Sequence, residues 1–343
     1  MLNNKIKKLA ASLTIVFAAP TFSATALDAN ATIDVYGTNR LIDKKVATLY
    51  QPQINTIVTA MQNGTPLDES LKAMTDGVKS DYHFSYVNIS PIMYQHDKTI
   101  HITIDVVEQK DKQRLAYFLP KPTRTITDPE HLIDNWLSYQ KTAFDLIYKQ
   151  KQFPTYKQCP AYHCIFGFEH PALQKFAHSF DDAEKYKSTL IDIIRHEKDD
   201  EKRAAAVYVL AHIKNSGELV NSLLPAMHDS SALVRNNAMR VIAETLEKNK
   251  INIPINQVIT ALDFPNTTDR NKALLILYNI ADRKDYAKYI ATHATKTLIN
   301  ILKLQQPNNH DFSYNILKRI SGKNYGERDY HAWTAWAKQY QYV

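Results

Sequence analysis

The sequence predicts a mostly α-helical protein, an α-solenoid preceded by a small α+β domain. A motif with Arg203, Arg235 and Arg270 recurs in the helical C-terminal half. The segment 31–109 instead has strand and helix patterns in the order β-α-α-β-β. Hydrophobic residues make up 44% and charged residues 22%, which is typical of a globular protein that buries a core.

The first residues predict a secretory signal peptide over 1–26. Three lysines in "MLNNKIKK" precede the apolar run "LAASLTIVFAAP", and Ala24-Thr25-Ala26 follows as a small-residue cleavage site. The apolar run is much shorter than the roughly 20 residues that a membrane-spanning helix needs. We therefore expect cleavage near Ala26 and a periplasmic or secreted protein that does not span the membrane, with envelope association left open. An uncleaved anchor is the alternative.

Charge and glycine content exclude several classes of function. The formal net charge is +7, of which three charges belong to the predicted signal, so a mild +4 remains and does not favour nucleic-acid binding. The seven glycines form neither a phosphate loop nor a dinucleotide fingerprint nor a nucleophile elbow. No H-E-x-x-H motif or Ser/His/Asp set stands out either. We therefore predict a non-enzymatic protein without a cofactor.

The segment 31–109 is predicted to be a separate small domain. "TIHITIDVVE" alternates, with Ile100, Ile102, Ile104 and Val106 on one face, and Pro52 is expected to kink or break the first helical stretch. The element order and "IDVYGTNRLIDKKV", with Gly37, Asn39 and Arg40, resemble a POTRA domain. The resemblance implies binding of an extended polypeptide by strand addition to the sheet edge. The glycine usual before the second strand is missing, and no β-barrel follows.

Residues 110–182 are predicted to form a helical and irregular bridge that contains both cysteines. Cys159 and Cys164 lie in "CPAYHC", and in an exported protein a short-loop disulfide is the first interpretation. A metal site is the alternative, because His163 and His170 lie close by in the sequence. No second pair of ligands follows the cysteines, so we predict no metal. A catalytic redox pair is less favoured because its usual spacing is C-x-x-C.

Residues 183–343 carry the repeat R-x-x-A-x-x-x-[LI]. The arginines are followed by Ala206, Ala238 and Ala273, and an apolar helix precedes each copy. Helix pairs with a period of 20 to 50 residues are typical of a solenoid. We expect the small alanines to lie where paired helices approach closely. The arginines should brace the loops, with Asp229 predicted as the acid for Arg235 and Asp263 for Arg270.

This pattern resembles bacterial HEAT repeats, which carry "D-x-x-x-x-V-R-x-x-A", here "DSSALVRNNA". The C-terminal "LKRISGKNYGERDYHAWTAW" resembles the end of many such proteins, and Trp333 and Trp336 are expected to cap the array. HEAT arrays usually bind proteins, so the resemblance implies a scaffold or adaptor of the bacterial cell envelope. A secreted, virulence-type interaction protein is the alternative, and an enzyme or metal-binding protein using the Cys/His cluster is less favoured. The partner contacts are predicted at positions that the repeat does not explain, namely Asn236, Asn237 and Arg240.

Overall fold

The computed structural model describes residues 31–94, 98–152 and 167–340. The chain is mostly helical and has a small three-stranded sheet near its N-terminus, as predicted. The predicted signal peptide and the pair Cys159 and Cys164 lie outside the described residues. The strands are β1 (Ala31–Tyr36), β2 (Tyr86–Met93) and β3 (Ile100–Val107). The helices are α1 (Asp43–Leu49), α2 (Gln51–Asn63), α3 (Asp68–Tyr82), α4 (Leu132–Phe144), α5 (Pro171–Gln174), α6 (Lys187–His196), α7 (Asp200–Leu210), α8 (Ser216–Leu223), α9 (Ala232–Lys248), α10 (Ile255–Ala261), α11 (Thr267–Ile280), α12 (Lys284–His293), α13 (Thr295–Leu302), α14 (Pro307–Ser321) and α15 (Tyr330–Ala337).

Two compact units make up the chain. The first comprises the described residues of Met1–Leu115, Asp263–Thr267 and Lys288–Val343, and the second comprises Ala116–Leu262 and Thr268–Ala287. The C-terminal segment is thus grouped with the N-terminal module, whereas the sequence predicted one domain over 183–343. A pattern that repeats along the chain reports local structure, and it does not report which distant segments pack together.

The sheet has the order β1-β3-β2, with β1 parallel and β2 antiparallel to the central strand β3. The predicted alternation along β3 places Ile100, Ile102, Ile104 and Val106 in one core with α1–α3. Three helices, rather than the two predicted, separate β1 from β2. The break falls at Tyr50, and Pro52 stands in the first turn of α2. Backbone N–H groups in the first turn have no partner within the helix, so the missing N–H of a proline costs no hydrogen bond there.

The opposite face of the sheet is polar and also buried. Asp34, His101, Thr103 and Asp105 lie on it, each at most 8% exposed. The Asp34 carboxylate accepts hydrogen bonds from the backbone N–H groups of Gln305 and Gln306 at 2.8 Å each. Gln306 is the N-cap residue of α14, so a negative charge stands at the positive end of that helix. This contact joins β1 to the C-terminal helices within the first unit.

Replacing Asp34 by Ala should lower the free energy of unfolding by about 1.5–3 kcal/mol, because two backbone N–H groups lose a charged acceptor. Urea unfolding followed by circular dichroism measures the change. Asp76→Ala is the matched control, since it removes only an exposed pair with Lys72, for which we expect less than about 0.5 kcal/mol. Equal losses in the two variants would contradict the anchoring role of Asp34.

Six helices, α6–α11, follow one another at the predicted positions, in the order of three successive pairs. Packing within a pair is seen for α6 with α7 and for α8 with α9. Each second helix carries one of the motif arginines near its start, and Ala206, Ala238 and Ala273 are fully buried. The helices α7 and α9 of consecutive pairs also pack on each other.

The two C-terminal tryptophans lie in a local aromatic core of the first unit. Trp333 and Trp336 are at most 3% exposed, and their rings meet edge to face. The Trp333 indole N–H donates to the Gly326 carbonyl at 3.0 Å. The indoles therefore pack inside the C-terminal segment, where a buried tryptophan finds a partner for its polar atom.

Candidate functional site

The motif arginines link consecutive helix pairs. Arg203, at the start of α7, binds both carboxylate oxygens of Asp229, with Nη2 to Oδ1 at 2.7 Å and Nε to Oδ2 at 3.0 Å. Its Nη1 donates to the carbonyls of Glu197 and Lys198 in the preceding loop. One guanidinium thus braces its own loop and the loop of the next pair, a geometry that its planar fork permits.

Arg235 repeats this arrangement one pair further on. Its Nη1 donates to the Asp229 and Ser230 carbonyls, as the loop-bracing prediction expected. Its Nη2 lies 2.7 Å from Oδ2 of Asp269, so the prediction that Asp229 supplies the carboxylate is wrong. The Asp229 carboxylate points back to Arg203, so each acid serves the preceding pair. Arg270 is completely buried, and its pairing with Asp263 stays a prediction.

An extended segment of the chain lies along these loops. The Leu119 N–H donates to the His228 carbonyl at 2.7 Å, and the His228 ring bonds the Tyr117 carbonyl. Further along, Arg124 exchanges backbone hydrogen bonds with His196 and Lys198. The Phe118 ring stacks under the Arg235 guanidinium at 4.1 Å. The loops of the first two helix pairs therefore hold an extended backbone.

The predicted contact residues on α9 do not share one environment. The Asn237 amide donates to the Ala204 carbonyl, and its oxygen accepts from the Tyr208 hydroxyl at 3.0 Å. Asn237 and Arg240 are each 7% exposed, whereas Asn236 is half-buried. Asn237 therefore joins α7 to α9 inside the fold, which corrects the prediction of a partner contact there. A helical pattern places residues on a face, and it does not reveal whether another element covers that face.

Two charged residues of this unit, the half-buried Glu244 and the buried Lys272, were not singled out from the sequence. Glu244 lies one turn after Arg240 on α9, and burial raises the pKa of its carboxyl. Lys272 lies on α11, and burial holds the pKa of its amine well below the usual range. Burial also raises the pKa of Tyr208 to about 12. A lysine directly before the apolar run "ALLILY" was the sequence signal that could have drawn attention to Lys272.

A buried aromatic cluster surrounds His212 in the same unit. The Trp136 ring stacks on Tyr208 and meets Phe180 edge to face, with Tyr139 alongside. His212 packs against Trp136 and Phe180. Burial lowers the pKa of His212 to about 4, although two backbone carbonyls oppose the shift. The histidine is therefore neutral at ordinary pH, and its half-buried ring packs against the core.

We expect the His212 ring to titrate with a midpoint near 4 in the folded protein, followed by NMR of its Cε1 proton. Because the folded pKa lies below the ordinary 6.5, the unfolded chain takes up the proton first as pH falls. Stability that His212 contributes is thus complete above pH 6.5 and decreases towards pH 4, by up to about 3 kcal/mol. A His212 midpoint near the ordinary 6.5 would contradict the burial.

The two edges of the sheet differ. On β1 the outward Val35 N–H donates to the Asp43 carboxylate at 2.9 Å, and Gln305 reaches the Ile33 carbonyl. On β2, Tyr94 forms a hydrogen-bonded pair with Thr99. Backbone groups along an antiparallel strand point alternately towards and away from the neighbouring strand, so those that face away from β3 belong to Val87, Ile89, Pro91 and Met93. Within the residues that the structure describes, the outward N–H groups of Val87, Ile89 and Met93 form no hydrogen bond. Within that part of the chain, β2 therefore has an open edge.

One group of side chains has the spacing of a metal site. Asp128, His131 and Asp134 each offer a ligand atom within 4.8 Å of the others. Both Asp128 carboxylate oxygens already accept N–H groups, from Ile133 and Asp134, at the start of α4. His170, from the predicted Cys/His cluster, accepts the Ala172 N–H with Nδ1 and contacts Gln152 with Nε2.

No protein family model matches this chain, and neither a curated protein nor a solved structure matches it. Among the described helices, none has both the length and the apolar character needed to cross a membrane.

Proposed function

We propose that this chain is a non-enzymatic adaptor of the bacterial cell envelope that binds protein partners. In this proposal the N-terminal module is POTRA-like and adds an extended polypeptide to β2. The helix pairs α6–α11 belong to a HEAT-type solenoid that binds a second protein. The observation that carries the proposal is the open edge of β2.

Strand addition at β2 is supported by the backbone groups that face away from β3. Val87, Ile89 and Met93 each offer an outward N–H and an outward carbonyl, and Pro91 offers a carbonyl only. Such a row is a template for an extended chain, because the main chain supplies the hydrogen bonds. Pro91 interrupts the row and so limits the registers that bind well. The edge of β1 offers less, since Asp43 and Gln305 already occupy part of it.

Binding by the helix pairs is supported by their loops. The chain's own segment at Leu119 and Arg124 is already held there through backbone hydrogen bonds. Tyr117, Leu119 and Leu233 are large apolar side chains that are at least 39% exposed in this unit. Exposed apolar groups of this kind are typical of protein contacts when they cluster. Asn236, half-buried on α9, stays a predicted contact.

The test is crosslinking in living cells, followed by identification of the captured protein. Ile89→Pro removes one outward N–H and leaves the hydrogen bonds to β3 in place, because Ile89 faces away from β3. We expect this variant to lose the partner captured by the wild type. The natural Pro91 occupies an equivalent position in the same strand. Because the Ile89 side chain belongs to the core, circular dichroism must show that the variant keeps the wild-type fold before its capture is compared.

Pro91→Val is the matched counterpart, because it adds an outward N–H to the same edge. Capture should be retained or increased in this variant. Equal capture by the wild type and Ile89→Pro would reject binding at β2. Fractionation of the cells tests the compartment, and recovery of the protein in the cytoplasm would reject an envelope adaptor.

A further inference from the structure

The segment 118–127, here called the strap, lies on the surface of the second unit. None of its residues is buried, seven of the ten are exposed, and it has no helix or strand apart from the bridge of Arg124 with Glu197. A surface segment with so little buried area opens locally at a small cost in free energy. The strap can therefore leave its place while the helices beneath it stay folded.

The strap is held on the loops of the helix pairs through its main chain. The Leu119 N–H donates to the His228 carbonyl at 2.7 Å, and Arg124 exchanges backbone hydrogen bonds with His196 and Lys198. Bonds of this kind do not depend on side chains, so the same loop groups suit the main chain of another extended segment.

A buried carboxylate also faces the strap. Glu197 is only 1% exposed, and its Oε2 accepts the Ile126 N–H at 2.6 Å. Its Oε1 accepts the N–H of Asp199 within the loop. When the strap opens, the Oε2 atom loses its donor, and an extended segment that brings an N–H to this point restores it.

Two side chains of the strap add selectivity to these main-chain contacts. The Phe118 ring lies 4.1 Å from the Arg235 guanidinium. The Arg124 fork donates to both carboxylate oxygens of Asp192, at 3.1 and 3.2 Å. The loops thus offer a cationic face to an aromatic ring and a carboxylate to an arginine.

We propose that these loops form a peptide-binding site that the strap closes, and that its partner is an extended segment with an aromatic residue and, six residues later, an arginine. The partner's ring takes the place of Phe118, and its guanidinium takes the place of Arg124 on Asp192. The strap competes with the partner at an effective concentration on the order of millimolar, because it belongs to the same chain. This inference rests on the proposed function, and it names the chemistry of the protein that the helix pairs bind.

The experiment is fluorescence anisotropy of a labelled peptide with the sequence of residues 116–127, titrated with the full chain. Leu119→Pro removes the N–H that donates to His228, so this variant should bind the peptide at least about tenfold more tightly than the wild type. Phe118→Ala, which leaves the main chain intact, should tighten binding as well. Lys121→Pro is the matched control and should bind as the wild type does, because within the described chain the Lys121 N–H forms no hydrogen bond.

A second peptide, with alanine in place of the phenylalanine and the arginine, tests the selectivity. It should bind Leu119→Pro at least about tenfold more weakly than the first peptide does. The double variant Ile89→Pro/Leu119→Pro should bind the first peptide as Leu119→Pro does, which separates this site from the edge of β2.

Hydrogen exchange of the wild type tests the opening of the strap without any substitution. The amides of Leu119, Arg124 and Lys198 should exchange at least about a hundredfold faster than that of Ala211, whose N–H bonds the Val207 carbonyl at the end of α7.

The proposal is overturned if Leu119→Pro binds the peptide no more tightly than the wild type, or if the alanine-substituted peptide binds equally well. Strap amides that exchange as slowly as Ala211 would overturn it too. If no partner is captured in cells while the peptides bind as expected, only the adaptor function is rejected. Capture that depends on Ile89 without any peptide binding would reject only the site under the strap.

Discussion

Arg235→Met should lower the free energy of unfolding by about 3–5 kcal/mol, because the buried Asp269 carboxylate loses its guanidinium partner. The carbonyls of Asp229 and Ser230 lose their donor as well, and Phe118 loses the cation above its ring. Methionine keeps most of the apolar stem, so the loss reports the polar contacts rather than a cavity. Urea unfolding followed by far-ultraviolet circular dichroism measures it.

The double variant Arg235→Met/Asp269→Leu separates the pair from the loop contacts. Replacing both members of a buried ion pair with apolar groups is often neutral, so most of the stability should return. Arg195→Met is the matched control, because Arg195 is exposed on α6 and its loss should change stability by less than about 0.5 kcal/mol. A loss at Arg235 as small as that at Arg195 would show that the buried pair of Arg235 with Asp269 does not stabilise the fold.

Gly37→Ala, directly after β1, should destabilise the first unit strongly. Gly37 has a φ of +98°, and a Cβ placed there would lie 2.2 Å from the Val106 carbonyl oxygen. The nearest atom is backbone of the central strand β3, so it cannot move aside as a flexible side chain would. We expect a loss of at least about 3 kcal/mol, from the strained dihedral and the clash together.

Gly322→Ala is the control that isolates the clash. Gly322 also has a positive φ, of +66°, but a Cβ there would meet nothing within 4 Å. This variant should therefore show only the dihedral cost, about 1 kcal/mol. Similar melting temperatures for the two variants would contradict the close approach of Gly37 to β3.

The predictions that held rest on local patterns. The alternation of Ile100, Ile102 and Ile104 located β3, because side chains of a strand alternate between its two faces whatever lies around it. The spacing of apolar residues located the helices between Lys187 and Ile280, because residues three and four positions apart lie on one face of a helix. The arginine motif predicted that Arg235 braces its own loop, since that loop is only five residues away.

The candidate sites were less accessible to sequence reasoning. The acid that Arg235 binds lies 34 residues along the chain, whereas the prediction chose Asp229, which lies in the preceding loop. Asn237 and Arg240 differ from the sister repeats, which suggested a surface contact, but they are buried. The sequence did not single out Lys272, because lysines are common in helices and only the structure shows that this one is buried.

The sequence by itself determined where the helices and strands form, since hydrophobic period, proline position and repeat spacing act within a few residues. The tertiary structure alone decided which charges meet, which polar side chains are covered, and that the segment after Lys288 is grouped with the N-terminal sheet. Those outcomes depend on contacts such as that of Asp34 with Gln306, which are hundreds of residues apart in the chain. No local pattern reports such a contact, because its free energy exists only once both segments have folded and packed.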